Sequence, residues 1–147
     1  GSGDLRTYDL LSCLAEDGPG EEGSTWSGSA LTCVAILAAV KELCDKNLSE
    51  LARENGARFM SELRALQTRY PHLITDVRGK GLMVGIDFTI PGRKLSHALL
   101  RESVWAYYTG KEKKTLRFLP PLVTPPEVLS DVVGRLERVL HFIQFNV

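Results

Sequence analysis

Thr115-Leu116-Arg117-Phe118-Leu119-Pro120-Pro121-Leu122-Val123-Thr124-Pro125-Pro126-Glu127 is the run whose reading decides the fold. An apolar strand carrying one arginine meets a double proline and then the start of a helix. Proline has no N–H to give a strand ladder, so the strand is predicted to end just after Phe118 or Leu119. Thr124 followed three residues later by Glu127, with Pro125 at the first helical position, predicts a capped helix N-terminus. Arg117 is then a permanent cation near the end of a strand whose surroundings are fixed on both sides. A guanidinium held in this way can grip a carboxylate through two parallel hydrogen bonds. The spacing equally allows an arginine on the outer face of an edge strand, paired with a nearby acid, which is the commoner use of a lone charge in a strand.

Downstream, Val128, Leu129, Val132, Val133, Leu136, Val139, Leu140 and Ile143 recur at helical spacing and predict an amphipathic helix over 125–145. Upstream, residues 111–114 read as an exposed turn and 104–108 as a strand. Leu95, Ala98 and Leu99 mark a short helix over about 95–102, after a break at Pro91-Gly92. Residues 73–77 and 82–88 read as two strands joined by Arg78-Gly79-Lys80-Gly81, whose glycines supply the positive φ of a tight hairpin. That basic loop lacks the spacing and the following helix of a phosphate loop.

Asn47 with Glu50 predicts a capping pair for a helix ending at Pro71. Leu48, Leu51, Ala52, Phe59, Met60, Leu63 and Leu66 form its core face; Glu50, Arg53, Glu54, Arg58, Glu62, Arg64 and Arg69 form a solvated one. Residues 30–46 predict a helix apolar on nearly all sides, which needs cover on nearly all sides. The expected fold is a two-layer α+β domain: a small, mostly antiparallel sheet covered by the helices at 47–69, 95–102 and 125–145, with the 30–46 helix to one side. The elements alternate too irregularly for a doubly wound sheet.

With 147 residues, 44% of them apolar, the chain is long enough to bury a core without disulfides or metal. Eighteen basic residues balance 18 acidic ones, and no basic block appears, so neither nucleic acid nor an anionic membrane is an expected partner. Cys13, Cys33 and Cys44 are odd in number and without Cys-x-x-Cys spacing, which points to a reducing, cytoplasmic setting. His72, His97 and His141 are scattered and suggest no metal site. No apolar run is long enough to span a membrane, and no signal peptide is read at the start. Gly1-Ser2-Gly3 reads as a cloning scar, and residues 4–22 give a short Leu-marked segment followed by a polar loop.

Gly23-Ser24-Thr25-Trp26-Ser27-Gly28-Ser29 is rich in glycine and hydroxyls and leads into the apolar helix. Such a stretch can bind an anion such as phosphate, or simply cap the helix. With Val77-Arg78-Gly79-Lys80-Gly81-Leu82-Met83-Val84-Gly85-Ile86 and the Arg117 run, it occurs in an order that resembles the class III aminotransferases, the pyridoxal-phosphate enzymes that include acetylornithine and ornithine aminotransferases. The resemblance implies residues 23–147 as the C-terminal small domain of a fold-type-I enzyme, behind a 1–22 segment of scar and undefined sequence. It implies Arg117 as the residue binding the substrate carboxylate. It implies Ser24 and Thr25 at the cofactor phosphate, the threonine reaching across a homodimer interface. The 30–46 helix becomes an interdomain element. The family's usual Gly-Asn-Pro or Gly-His-Pro is replaced here by Gly28-Ser29-Ala30, which is expected to leave that helix start less rigid.

A transaminase also needs a Schiff-base lysine and an acid for the pyridinium nitrogen. In the family both lie in the large domain, ahead of Gly-Ser-Thr. No catalytic residue is assigned within this chain, and alone it is expected to be inactive and to hold no pyridoxal phosphate stably. The expected partners are the large domain of the same enzyme, a second copy in a homodimer, and an amino-acid substrate. The alternative is a stand-alone module that keeps the small-domain fold for binding or assembly.

Overall fold

A computed structural model describes residues 28–110, 112 and 114–146. Ser24, Thr25, Cys13, Lys111 and Lys113 lie outside the described residues. The chain divides into two compact units, Gly1–Lys41 and Glu42–Val147. Helix α1 (Ala30–Asp45) begins in the first. Its start is capped: the Ser29 hydroxyl accepts the Thr32 amide at 3.2 Å and lies 2.9 Å from the Thr32 hydroxyl. The expected looseness is therefore offset by an N-cap serine. No residue of α1 is buried, and Leu31, Val34, Ile36, Leu37, Val40 and Leu43 are exposed.

The second unit contains α2 (Leu48–Arg69), β1 (Ile74–Lys80), β2 (Met83–Phe88), α3 (Gly92–Arg101), β3 (Tyr107–Thr109), β4 (Thr115–Phe118) and α4 (Pro126–Asn146). The strands form one antiparallel sheet in the order β1-β2-β4-β3. This is the expected α+β architecture. On one side of the sheet α2 packs on β1 and against α4, and α3 packs on β3, β4 and α4. Alternation along the strands sends Val84, Ile86, Phe88, Leu116 and Phe118 to that side. There they meet Phe59, Leu63 and Leu66 of α2, Leu95 and Leu99 of α3, and Leu129, Leu136 and Leu140 of α4. Phe59 meets Phe118 edge to face, with centroids 6.1 Å apart.

Several local expectations are corrected. Asn47 adopts φ 45°, ψ 46° and makes no side-chain cap; its carbonyl starts α2 instead, accepting from Glu50 and Leu51, while the Glu50 carboxylate takes Arg53. The β1–β2 connection is two residues, Gly81 and Leu82, not four, and only Gly81 has positive φ (55°). Arg78, Gly79 and Lys80 belong to the ladder, opposite Gly85, Val84 and Met83. Val104 and Ala106 are buried and Trp105 exposed, as in a strand, but pairing starts only at Tyr107. The Ala106 carbonyl accepts from the Ser96 hydroxyl of α3 at 2.7 Å, which ties this segment to the helix. Helix α3 begins at Gly92, earlier than the periodic leucines suggest. Helix α4 starts one residue late: Pro125 gives its carbonyl to Val128 and Leu129, and Pro126 is the first helical residue. On α2, Glu62 and Arg69 are not merely solvated but reach α4, accepting from Ser130 at 2.8 Å and pairing with Glu137 respectively.

Candidate functional site

The face of the sheet away from the helices carries the polar chemistry. Cross-strand register arranges it in two rows: Arg78, Gly85, Arg117 and Tyr107 in one; Asp76, Asp87, Thr115 and Thr109 in the next. Gly85 stands between the two arginines, so no side chain separates them in that row.

The two guanidinium groups have different surroundings. Arg78 Nη1 donates to Asp76 Oδ2 and to Asp87 Oδ2, each at 2.6 Å, and Nη2 donates to Asp87 Oδ1 at 3.1 Å. Thr115 Oγ1 donates to the same Asp87 carboxylate. The Arg78 bond is the main reason the Asp87 carboxyl is held below its ordinary value; partial burial opposes the shift, and the Thr115 bond adds to it. Arg78 is in turn raised, chiefly by Asp87 and then Asp76. Its charge is already committed to two acids.

Arg117 forms no ion pair among the described residues. It does not lie on an edge strand, because β4 is flanked by β2 and β3. The alternative of an edge-strand charge paired with a nearby acid is therefore not what the fold displays. Its guanidinium carbon lies 5.9 Å from the centroid of the Tyr107 ring, within the range of a cation–π contact. Trp105, Tyr107, Arg117 and Leu119 line an open recess of about 400 Å³. A cation on a sheet-held backbone, open to solvent and flanked by apolar surface, can receive an anionic group and give it two donors in a plane.

The sequence reading singled out Arg117 but not its neighbours. The signal for them was the two-residue alternation, Trp105 with Tyr107 and Arg117 with Leu119, which places all four on one side once the strands pair. Arg78 was read as part of a turn, and its role as the partner of two aspartates was missed. Asp76 at i−2 and Asp87, which pairs with Asp76 and so lies diagonally across from Arg78, were the available signal.

Among the described residues, no cluster of three His, Cys, Asp or Glu side chains is placed to hold a metal ion. No described helix is long and apolar enough to cross a membrane.

Residues 11–140 match the family described as aminotransferase class-III. An ornithine aminotransferase of Brevibacillus brevis is 34% identical over 123 residues, covering 84% of this chain and 30% of the relative. The acetylornithine aminotransferase of Elizabethkingia anophelis superposes with a TM-score of 0.74 at 34% identity, over 85% of this chain and 32% of that one. The ornithine aminotransferase of Toxoplasma gondii, a structure described as having partial occupancy of pyridoxal phosphate at its active site, gives a TM-score of 0.77 at 27% identity. It covers 92% of this chain and 32% of its own. The chain thus spans about a third of the length of these relatives.

A resident pyridoxal phosphate would require a lysine amine withdrawn from water. Lys41, Lys46, Lys80 and Lys94 are exposed; Lys114 is half-buried and bonded to Glu112 at 2.9 Å, and Lys46 pairs with Glu42. None of these lysines is fully buried by the other described residues.

Proposed function

The chain belongs to the aminotransferase class-III family, whose members depend on pyridoxal phosphate, and from that premise we propose that residues 23–147 serve as the C-terminal small domain of a transaminase. The parent enzyme moves an amino group between an amino acid of the ornithine or acetylornithine type and a 2-oxo acid. The observation that carries this reading is the contrast between the arginines. Arg78 is closed off by Asp76 and Asp87, whereas Arg117 stands in the open recess with an aromatic ring beside it.

Pyridoxal phosphate supplies the electron sink for amino transfer when it is bound to a family member. Within this chain, Arg117 binds the substrate carboxylate and orients it. The strand ladder on both sides of β4 fixes the backbone from which the guanidinium projects, so less freedom is lost on binding than for a surface arginine on a loop. Ser24 and Thr25 approach the cofactor phosphate, the threonine from the other subunit of a homodimer. The lysine and the pyridinium partner belong to the large domain, which is the chain's principal partner. Alone, the 147-residue chain has no transaminase activity and retains no cofactor.

The test is amino transfer by the complete polypeptide, compared with the 147-residue chain, using ornithine and acetylornithine as donors and a 2-oxo acid as acceptor. Transfer by the complete polypeptide only is the expected result. No transfer by either would turn the reading toward a small-domain fold retained for assembly.

A further inference from the structure

We propose that Tyr107 is a positioning residue for Arg117, and that the recess they share with Trp105 and Leu119 takes a carboxylate whose adjoining carbons are apolar or aromatic. This rests on the reading of Arg117 as a carboxylate-binding residue and names what that residue accepts.

Tyr107 is the direct register partner of Arg117 across β3 and β4. Their contact is therefore set by the ladder and does not depend on a chance meeting of two long side chains. The guanidinium carbon lies 5.9 Å from the ring centroid, where the face of the phenol attracts the cation without consuming its hydrogen-bond donors. An acid in that position would have neutralised the charge, as Asp87 does for Arg78. Tyr107 instead limits where the guanidinium can lie and leaves its N–H groups for a ligand.

The same alternation that exposes Tyr107 exposes Trp105 two residues earlier, and Leu119 lies two residues beyond Arg117. Trp105 is 83% exposed and puts a large apolar surface beside the cation. The recess therefore offers one positive charge, two aromatic faces and an aliphatic side chain, and no carboxylate lines it. A second ammonium group would find no counter-charge there, whereas methylene or aryl carbons next to a carboxylate would cover the exposed rings. Of the two donor types, acetylornithine fits better, because its acylated α-nitrogen beside the carboxylate is uncharged, whereas ornithine would bring an α-ammonium into a recess that no acid lines.

The test is a titration of the 147-residue chain with acetate, phenylacetate and phenethylamine, followed by NMR at the Trp105 indole N–H, with Trp105→Phe to assign the signal. Phenylacetate is expected to bind about two- to tenfold more tightly than acetate, from the added ring contact. Phenethylamine is expected not to bind. Tyr107→Phe should retain the phenylacetate affinity, and Tyr107→Leu should weaken it about two- to fivefold through loss of the cation–π contact. Arg117→Gln should abolish it. Equal binding of acetate and phenylacetate by the unaltered chain overturns the proposal without recourse to any variant. Loss on Arg117→Gln with no effect of Tyr107→Leu also overturns it, while leaving Arg117 as a carboxylate site. Phenylacetate binding that survives Arg117→Gln removes the underlying reading itself.

Discussion

Replacing Gly56 with alanine tests how α2 holds the hairpin that carries the sheet. Gly56 is buried on α2, facing the β1–β2 turn. A Cβ built there would lie 2.2 Å from the Gly81 carbonyl oxygen, 2.3 Å from its carbon and 2.7 Å from its Cα. All three are backbone atoms of a tight turn, so no side chain can rotate away. Helix and turn would have to part by about 1 Å or more to reach van der Waals separation. Overpacking of this kind costs about 1–3 kcal/mol, and a contact with backbone belongs at the upper end. Alanine returns at most about 1 kcal/mol through its better helix propensity. The net expectation for Gly56→Ala is a loss of about 2 kcal/mol, or roughly 8–15 °C in Tm for a unit of this size. Gly134, on α4, is the internal control, since a Cβ there meets nothing within 4 Å. Gly134→Ala should therefore stabilise, by up to about 1 kcal/mol. Urea unfolding followed by far-UV circular dichroism gives both midpoints, with an unchanged m-value confirming that only stability has moved. If Gly56→Ala were as stable as the parent while Gly134→Ala behaved as expected, the close approach of α2 to the turn would be refuted.

The depressed Asp87 carboxyl predicts a specific acid sensitivity. A lowered folded-state pKa contributes stability above the ordinary value of 3.8, and this is lost as pH falls from about 5 through 3.8 toward the folded-state value. Asp87→Asn should flatten that part of the stability profile; because the pair is partly solvated, the difference should be about 1 kcal/mol or less and smaller in high salt. A profile unchanged by the substitution would mean that the Arg78 pair does not contribute to folding. Asn55, the one buried polar side chain found among the described residues, donates to the Thr124 carbonyl at 3.3 Å and ties α2 to the loop following β4. Asn55→Ala should cost about 1 kcal/mol in chemical denaturation; no change in midpoint would show that this tie adds nothing.

The run from Thr115 to Glu127 was legible because its chemistry is local. Prolines end a strand and begin a helix whatever surrounds them; the structure departs from that reading by starting the helix at Pro126, so that Pro125 and not Thr124 directly precedes it and its carbonyl takes the first amides. The apolar faces of α2 and α4 were legible for a similar reason, since burial follows their periodicity. Features that depend on distant partners were not. Arg78 to Lys80 look like a turn until β2 pairs with them, and Arg78 acquires its role only through Asp87, nine residues on. Whether β4 is an edge or an interior strand is decided by β3, which pairs only over Tyr107–Thr109, while the Ala106 carbonyl before it accepts from Ser96 of α3. Asn47 has the composition of a cap, but its left-handed backbone makes the junction between two helices instead. The site followed the same division: Arg117 was visible from its own segment, while the ring that borders it comes from another strand.

The most direct test of the account is Arg117→Lys in the complete enzyme, with kcat/KM measured for carboxylated and uncarboxylated amine donors. Lysine keeps the charge but loses the planar pair of donors. A charge-assisted contact of about 1.5–3 kcal/mol predicts a roughly tenfold to more than hundredfold loss for carboxylated donors. Uncarboxylated donors should be nearly unaffected, and Tm should not move. Equal losses for both donor types, together with a lowered Tm, would make Arg117 a structural residue and contradict the central claim.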